Sequence, residues 1–186
     1  MNIQKAIFKI EAALTVKETE DLIEYTESQC VEKAKLLIDG IPTENIKQRN
    51  VYSYGLNPNY PTDKKYIDFL VQVMQKGLSE YTKIFNYIKQ LAPQDINLLK
   101  YETNNFYNTH IDSFHTVNRQ LSTIINLNRN YEGGDLVFYN PVEKKPYSKL
   151  SLQQGDLVIF PSNFLYPHRV LPITKGVRYS IVSWYA

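Results

Sequence analysis

Near Pro93 the hydrophobic period of this 186-residue chain switches from about 3.6 residues to about 2, and nothing else in the sequence restricts the fold as tightly. Beyond the switch, apolar runs follow one another at Ile96–Tyr101, Leu121–Leu127, Asp135–Tyr139, Leu150–Leu152, Leu157–Phe160, His168–Leu171 and Val177–Tyr185. Turn signals part them: Glu132-Gly133-Gly134-Asp135, Asn140-Pro141, Gln154-Gly155-Asp156 and Lys175-Gly176. Short strands at roughly 8–12-residue spacing predict a sandwich or jelly roll. Ahead of the switch, Val16, Leu22, Ile23, Cys30, Val31, Ala34, Leu37 and Ile38 recur at three- and four-residue steps and predict a helix over Val16–Ile38, stopped by Gly40 and Pro42. A second helical run is expected from Asp63 to Leu91, with Gly77 as a break and Pro93 as its end. Between them, Gln48–Pro61 reads as an irregular segment or a strand bounded by loops. The prediction is one α+β domain over 1–186, in which 1–92 give mainly helical support to a β core at 93–186.

Composition removes several function classes. Lys plus Arg number 21 against 19 Asp plus Glu, so there is little electrostatic motive for gripping a phosphate backbone, and no nucleic-acid partner is expected. Cys30 is the single cysteine, which excludes an internal disulfide and Cys-rich metal sites. No apolar run approaches the roughly 20 residues that cross a bilayer, and Lys5, Lys9 and Glu11 interrupt the start of the chain where a signal peptide would be apolar. No membrane association and a cytoplasmic setting are therefore expected. Oligomeric state is not readable. Any histidine chemistry must come from His110, His115 and His168.

In an extended segment, His110 and Asp112 stand at i and i+2 and leave the same face, offering an imidazole and a carboxylate to one divalent ion. A second imidazole would complete the facial triad of non-haem Fe(II) sites, and His168, opening a late strand, is the candidate. The triplet alone reads equally well as a surface strand with two solvated polar residues. Downstream, Arg178 interrupts the apolar run of Val177, Ile181, Val182 and Trp184. A guanidinium there is costly unless it meets an anion, either a cosubstrate carboxylate or an acidic side chain at a sheet edge. Ser180, two positions on, shares its face. His115 falls on the opposite strand parity from His110 and reads as a loop or supporting residue.

From Lys100 to Ala186 the sequence resembles the Fe(II)- and 2-oxoglutarate-dependent dioxygenases, in their prolyl 4-hydroxylase-like branch. The residues that carry the resemblance are Tyr101 nine before His110, Tyr107 three before it, and Arg119 nine after it. They continue with the run to Asn128, the Glu132–Phe138 hairpin, Gly155-Asp156 before Val158-Ile159-Phe160, then His168, Gly176, Arg178 and Trp184. Asn126 stands where some relatives hold a second cosubstrate tyrosine, and Arg178 where the collagen-modifying members hold Lys. The resemblance implies a double-stranded β-helix (jelly roll) with Fe(II) on His110, Asp112 and His168. It implies 2-oxoglutarate as cosubstrate on Arg178 and Tyr101, O2 as oxidant, and ascorbate as a candidate reductant. Arg119, Tyr107 and Trp184 are implied on the substrate side, and a prolyl residue in a peptide or protein as the target of hydroxylation. The Gln48–Pro61 segment is expected either to close over that substrate or to serve as a structured connector. The setting implied is a bacterial cell or a virus-infected bacterial host.

Three other readings are carried. A nucleic-acid demethylase would place a second Arg six residues after the first, where this chain has Trp184. A cupin-like metal-binding jelly roll without turnover would have no use for an anion clamp at Arg178. The third is an oxygenase without a prolyl target, either acting on a non-prolyl small molecule or decayed into an interaction protein, the latter disfavoured because every expected ligand is intact.

Overall fold

The computed structural model describes residues 3–38, 41–88, 91–115 and 117–186. A short 3-10 turn (Ile3–Ala6) leads to β1 (Phe8–Ile10) and α1 (Val16–Ser28). Next come β2 (Glu32–Lys33), β3 (Lys35–Ile38), β4 (Ile41–Glu44), β5 (Arg49–Asn50), β6 (Tyr52–Gly55) and α2 (Pro61–Ile84). The remainder is β7 (Pro93–Tyr101), β8 (Phe106–His110), β9 (Leu121–Asn126), β10 (Glu132–Gly133), β11 (Leu136–Tyr139), β12 (Pro146–Leu150), β13 (Leu157–Pro161), β14 (His168–Val170), β15 (Ile173–Lys175) and β16 (Arg178–Tyr185). Two antiparallel sheets carry the architecture, one ordered β1-β13-β9-β16-β7-β6-β2 and the other β12-β11-β14-β8-β5. Two strand pairs, β10 with β15 and β3 with β4, stand apart from them. This is the predicted α+β jelly roll.

Side-chain parity explains why the central strands read as unbroken apolar runs. On β16, Val182 and Trp184 enter the core between the sheets, whereas Ile181 and Tyr185 enter a second core beneath the helices. The same division holds for Leu99 and Tyr101 against Ile96 and Leu98 on β7, and for Val158 and Phe160 against Leu157 and Ile159 on β13. A strand covered on both faces has no polar alternation to show. The helices supply Leu22 from α1 and Leu70, Met74, Leu78 and Tyr81 from α2 to that second core. Gly77, expected to break the second helix, lies inside α2, and a Cβ there would come within 2.6 Å of Leu157 Cδ2. It is the residue that lets the helix approach the sheet, not a break. The expected continuation toward Leu91 gives way after Ile84, and 89–90 lie outside the described residues.

The first helix is shorter than predicted. A capping box starts it, with Glu18 N–H donating to Thr15 Oγ1 at 3.3 Å and Thr15 N–H to Glu18 Oε2 at 2.8 Å. It ends at Ser28, because Gln29 turns extended and the chain that follows pairs as strand: Lys33 opposite Tyr52, and Ala34 N–H donating to Val51 O at 2.9 Å. Over so short a window a period of 2 and a period of 3.6 are hard to separate, and sheet pairing decides. Gly40, expected as the stop, lies outside the described residues. Residues 1–92 are consequently less helical than expected, since β2 and β6 extend the large sheet and β5 the small one.

Gln48–Pro61 is likewise a connector built into both sheets through β5 and β6, and the lid alternative fails. Of its three tyrosines, Tyr54 serves a buried carboxylate at the head of α2. Asp63 accepts from Tyr54 Oη at 3.0 Å, from the Asn57 amide at 2.7 Å and from Tyr25 Oη, tying both helices to β6.

Candidate active site

β8 and β14 are antiparallel neighbours with His110 directly opposite His168. After β8 the chain turns, and the Asp112 and Ser113 amides both donate to Ser162 O, at 3.1 and 3.0 Å. That turn swings the Asp112 carboxylate between the imidazoles: its Oδ1 lies 3.5 Å from His110 Nε2, its Oδ2 3.6 Å from His168 Nε2. One ligand atom from each of the three residues falls within 4.8 Å of the others, and they form the one such group found among the described residues. Each imidazole is oriented from behind, since His110 Nδ1 lies 2.8 Å from Asn108 O and His168 Nδ1 3.0 Å from Tyr166 O. A carbonyl can only accept, so the proton sits on Nδ1 and the Nε2 lone pair is free for a metal. Asp112 Oδ2 also accepts from Ser122 Oγ at 2.6 Å, and that hydroxyl contacts Ser162 Oγ at 2.8 Å.

Burial alone would raise the Asp112 carboxyl; the two imidazoles and the Ser122 hydroxyl outweigh it and hold the group well below the usual carboxylate range. His168 is pushed down to about 4, first by burial and then by the like charge of His110. Two imidazoles that present Nε2 and a carboxylate on one side of a cavity suit a divalent ion of intermediate hardness with positions left open. His115 is exposed and apart from the cluster, as expected.

Behind these residues the cavity runs into the core between the sheets, walled by Leu99, Ile124, Val170 and Val182. At its end Arg178 is only 1% exposed and stands opposite Tyr101 in the β16–β7 register, with its guanidinium 5.1 Å from the Tyr101 ring centroid. Arg178 Nε donates to Asn126 Oδ1 at 3.1 Å, and no carboxylate pairs with it among the described residues. Ser180 Oγ, buried in the same wall, has no hydrogen-bond partner. A buried cation beside an orphaned hydroxyl is costly unless an anion completes it, so the cavity fits a carboxylate-bearing cosubstrate.

Tyr107 stacks on His110, with centroids 3.5 Å apart and planes 11° from parallel. Arg119 lies over Trp184 at 3.7 Å and donates to Asp112 O at 3.4 Å. All eight site residues expected from the sequence are thus brought to one cavity and its mouth.

Others had no local signature. Ser122 and Ser162 are found only by cross-strand register. Asn126 spends its amide oxygen on Arg178 Nε and on Tyr131 Oη (3.1 Å), and its NH2 on Asn128 O (2.6 Å). Tyr131 therefore reaches this corner from the residue before β10, next to the Asn126 that stands where some relatives hold a tyrosine. Arg49, on β5, lines the cavity with the histidines and lies 4.8 Å over Tyr107.

The sequence profile of the 2OG-Fe(II) oxygenase superfamily matches residues 96–186. That match takes in most of the β core and all three candidate metal ligands, His110, Asp112 and His168. A PKHD-type hydroxylase from Idiomarina loihiensis is 34% identical over 100 residues, covering 52% of this chain and 43% of that protein. The chain thus spans less than half the length of that curated relative. A prolyl hydroxylase from Trichoplax adhaerens, solved in complex with a hypoxia inducible factor oxygen degradation domain peptide fragment, superposes with a TM-score of 0.78. It is 20% identical, and the match covers 97% of this chain and 83% of that one. A Pseudomonas putida prolyl-4-hydroxylase gives a TM-score of 0.70 at 19% identity, covering 97% of this chain and 91% of that one. The structural likeness extends the shared fold over the first 92 residues, which the profile does not reach. No helix among the described residues is long and apolar enough to cross a membrane.

Proposed function

We propose that this chain is an Fe(II)- and 2-oxoglutarate-dependent dioxygenase that hydroxylates a prolyl residue in a peptide or protein. The observation that carries the oxygenase reading is the buried Arg178 guanidinium without a carboxylate partner, behind three convergent metal ligands. A jelly roll that only stored metal would gain nothing from that arrangement. The bound iron would supply oxygen activation coupled to decarboxylation of 2-oxoglutarate.

The chain's own side chains do the positioning. His110 and His168 present Nε2, their Nδ1 protons held by the carbonyls of Asn108 and Tyr166. Ser122 fixes one oxygen of Asp112. Arg178, Ser180 and Tyr101 would hold the far carboxylate of the cosubstrate, with Asn126 and Tyr131 fixing the plane of the guanidinium. Leu99, Ile124, Val170 and Val182 exclude water along the cosubstrate's length. Tyr107, Arg119 and Trp184 face the mouth, where an aromatic wall beside a guanidinium suits a proline ring and its carbonyl.

The prolyl target is supported by relatives named as PKHD-type hydroxylases and by structural neighbours named as prolyl hydroxylases. Residues 1–186 are proposed to act as one unit, because strands from the first 92 residues enter both sheets. The bacterial origin of the Idiomarina relative supports a bacterial cytoplasm, or that of an infected bacterial host, as the setting. The test is succinate release with Fe(II), 2-oxoglutarate and a panel of proline-containing peptides. Stimulation by a prolyl peptide, absent with the alanine-for-proline control and in His168→Ala, is expected. Peptide-independent succinate release of equal rate throughout the panel would remove the prolyl target and leave the oxygenase.

A further inference from the structure

Arg49 has no role in the chemistry above, yet it lines the metal cavity and both clefts that open beside it. Its Nε is buried without a hydrogen-bond partner, and its one side-chain hydrogen bond among the described residues, Nη1 to Lys35 O at 3.2 Å, goes to a carbonyl. No carboxylate pairs with it among the described residues. Arg119, which lines the same two clefts, is in a similar state. Its Nε is buried and unpaired, and its single carboxylate contact is Asp95 at 4.0 Å, with that side chain 77% exposed. A pair so long and so solvated contributes little. Burial lowers the Arg119 guanidinium more than the opposing pull of Asp112 and Asp95 restores it, and the like charge of Arg49 adds a smaller push in the same direction as burial. Holding two guanidinium groups together at a cavity mouth costs free energy that their contacts with the Tyr107 and Trp184 rings and with carbonyl oxygens offset only in part.

The surroundings do not cancel this charge. The wider cleft carries Lys33, Lys35, Arg49 and Arg119 against Glu32 and Asp95. The cleft over the metal ligands carries Lys35, Arg49 and Arg119, and its one acidic group is Asp112. Asp112 is committed to the histidines and Ser122. A neutral peptide carbonyl could occupy Arg119 alone, but it leaves Arg49 unexplained.

We propose that the substrate carries a carboxylate within one or two residues of the hydroxylated carbon, and that Arg49 and Arg119 hold that carboxylate between them at the mouth. The proposal rests on the oxygenase reading for the position of the reacting carbon. The carboxylate itself has two possible sources, an acidic side chain beside the target residue or the terminal carboxylate of a chain that ends there. Both present planar oxygen pairs that two guanidinium forks accept in the same way. Arg49 also lies over Tyr107, which stacks on His110, so an anion drawn to Arg49 is drawn toward the iron side of the cavity.

Trp184 is the only tryptophan of the chain and lies directly under the Arg119 guanidinium, so its fluorescence reports occupancy of the mouth without turnover. The full chain, loaded with Mn(II) and 2-oxoglutarate, is titrated with two probe pairs. One pair is acetyl-Ala-Pro-Asp-amide against its Asn isostere; the other is acetyl-Ala-Pro with a free carboxylate against its amide. At least one acid is expected to bind about tenfold or more tighter than its neutral partner, and the winning pair identifies the source of the carboxylate. Arg49→Gln and Arg119→Gln are each expected to abolish that preference, and Arg49→Lys to keep part of it.

Equal affinities within both pairs, no binding by any of the four, or a preference that survives in Arg49→Gln overturns the proposal. So does a loss of 2-oxoglutarate affinity in Arg49→Gln as large as the loss of peptide affinity, since the clamp would then serve the cosubstrate. Succinate release is measured in parallel on the Fe(II) form. An acid preference without turnover leaves the anion clamp standing and counts against the oxygenase, so the two failures are distinguishable.

Discussion

Arg178 is the side chain whose placement is hardest to account for without a ligand. It is buried at the end of a cavity, its Nε is fixed by Asn126, and no carboxylate answers its charge among the described residues. Charge-assisted hydrogen bonds to a carboxylate contribute about 1.5–3 kcal/mol each. Arg178→Ala should therefore raise the Kd for 2-oxoglutarate by about a hundredfold, with Fe(II) affinity in the absence of cosubstrate unchanged; calorimetry on the two ligands separately checks this. Ser122 acts on the other side of the site. Its hydroxyl is, among the described residues, the one side-chain donor hydrogen-bonded to the Asp112 carboxylate, and losing such a support typically costs about 10–100-fold in metal affinity. Ser122→Ala should weaken Fe(II) binding by about tenfold and leave 2-oxoglutarate selectivity intact, as read by competition with a metal-sensitive dye.

At this scale the sequence was legible where chemistry is rare. Three histidines, one arginine in an apolar run and a His-Ile-Asp triplet leave few assignments. It was silent on Ser122, Ser162 and Tyr131, because serine and tyrosine are common and their roles come from strands that meet only in the fold.

At the scale of elements, the turn before β11 shapes the end of the cavity at Arg178. Gly134 has φ +69°, and a Cβ there would lie 2.5 Å from Ile173 Cδ1 and 3.1 Å from Arg178 Cδ. Gly134→Ala is expected to destabilise the chain by about 1–3 kcal/mol, through backbone strain and overpacking. It should also weaken 2-oxoglutarate binding by displacing Arg178. Denaturant melts and cosubstrate titration of the same variant check both effects, and a fully stable variant with normal affinity contradicts the packing described.

The β core was readable from its alternation and turns, and the paired carboxylate and imidazole of β8 from their spacing. Between the helices only Gln48–Pro61 offered a strand as one of two readings, and β2 and β3 were hidden under a helical period. β2 and β5 are two residues each, too short for any period to declare itself, and they exist because β6 and β8 offer free edges. Gly77 misled for a related reason, since a glycine that admits a close helix–sheet approach has the same sequence appearance as one that ends a helix.

For the molecule as a whole, the site is a source of pH-dependent stability. His168 in the fold is pushed down to about 4, against about 6.5 for an unperturbed imidazole. Between these values the unfolded chain binds a proton that the folded chain refuses, so stability rises with pH across that window and is lost on acidification from about 6.5 to about 4. The metal-free protein should lose of the order of 3 kcal/mol over that interval, and His168→Gln should flatten the dependence in urea melts taken at stepped pH. Asp112 acts in the same direction at lower pH, since its depressed carboxyl stabilises the fold above the ordinary carboxylate range and ceases to as it protonates. Bound iron should steepen the acid loss further, because protons and metal compete for the same Nε2 atoms.

The most direct measurement is an anaerobic Fe(II) titration of the intact chain with 2-oxoglutarate present, followed by visible absorption. One equivalent of iron per chain should develop a weak charge-transfer band that saturates. The band should be absent without cosubstrate, lost in His110→Ala, Asp112→Ala and His168→Ala, and lost in Arg178→Ala until 2-oxoglutarate is raised far above its wild-type Kd. A folded wild-type chain that never develops the band, or a His168→Ala chain that develops it unchanged, contradicts the account.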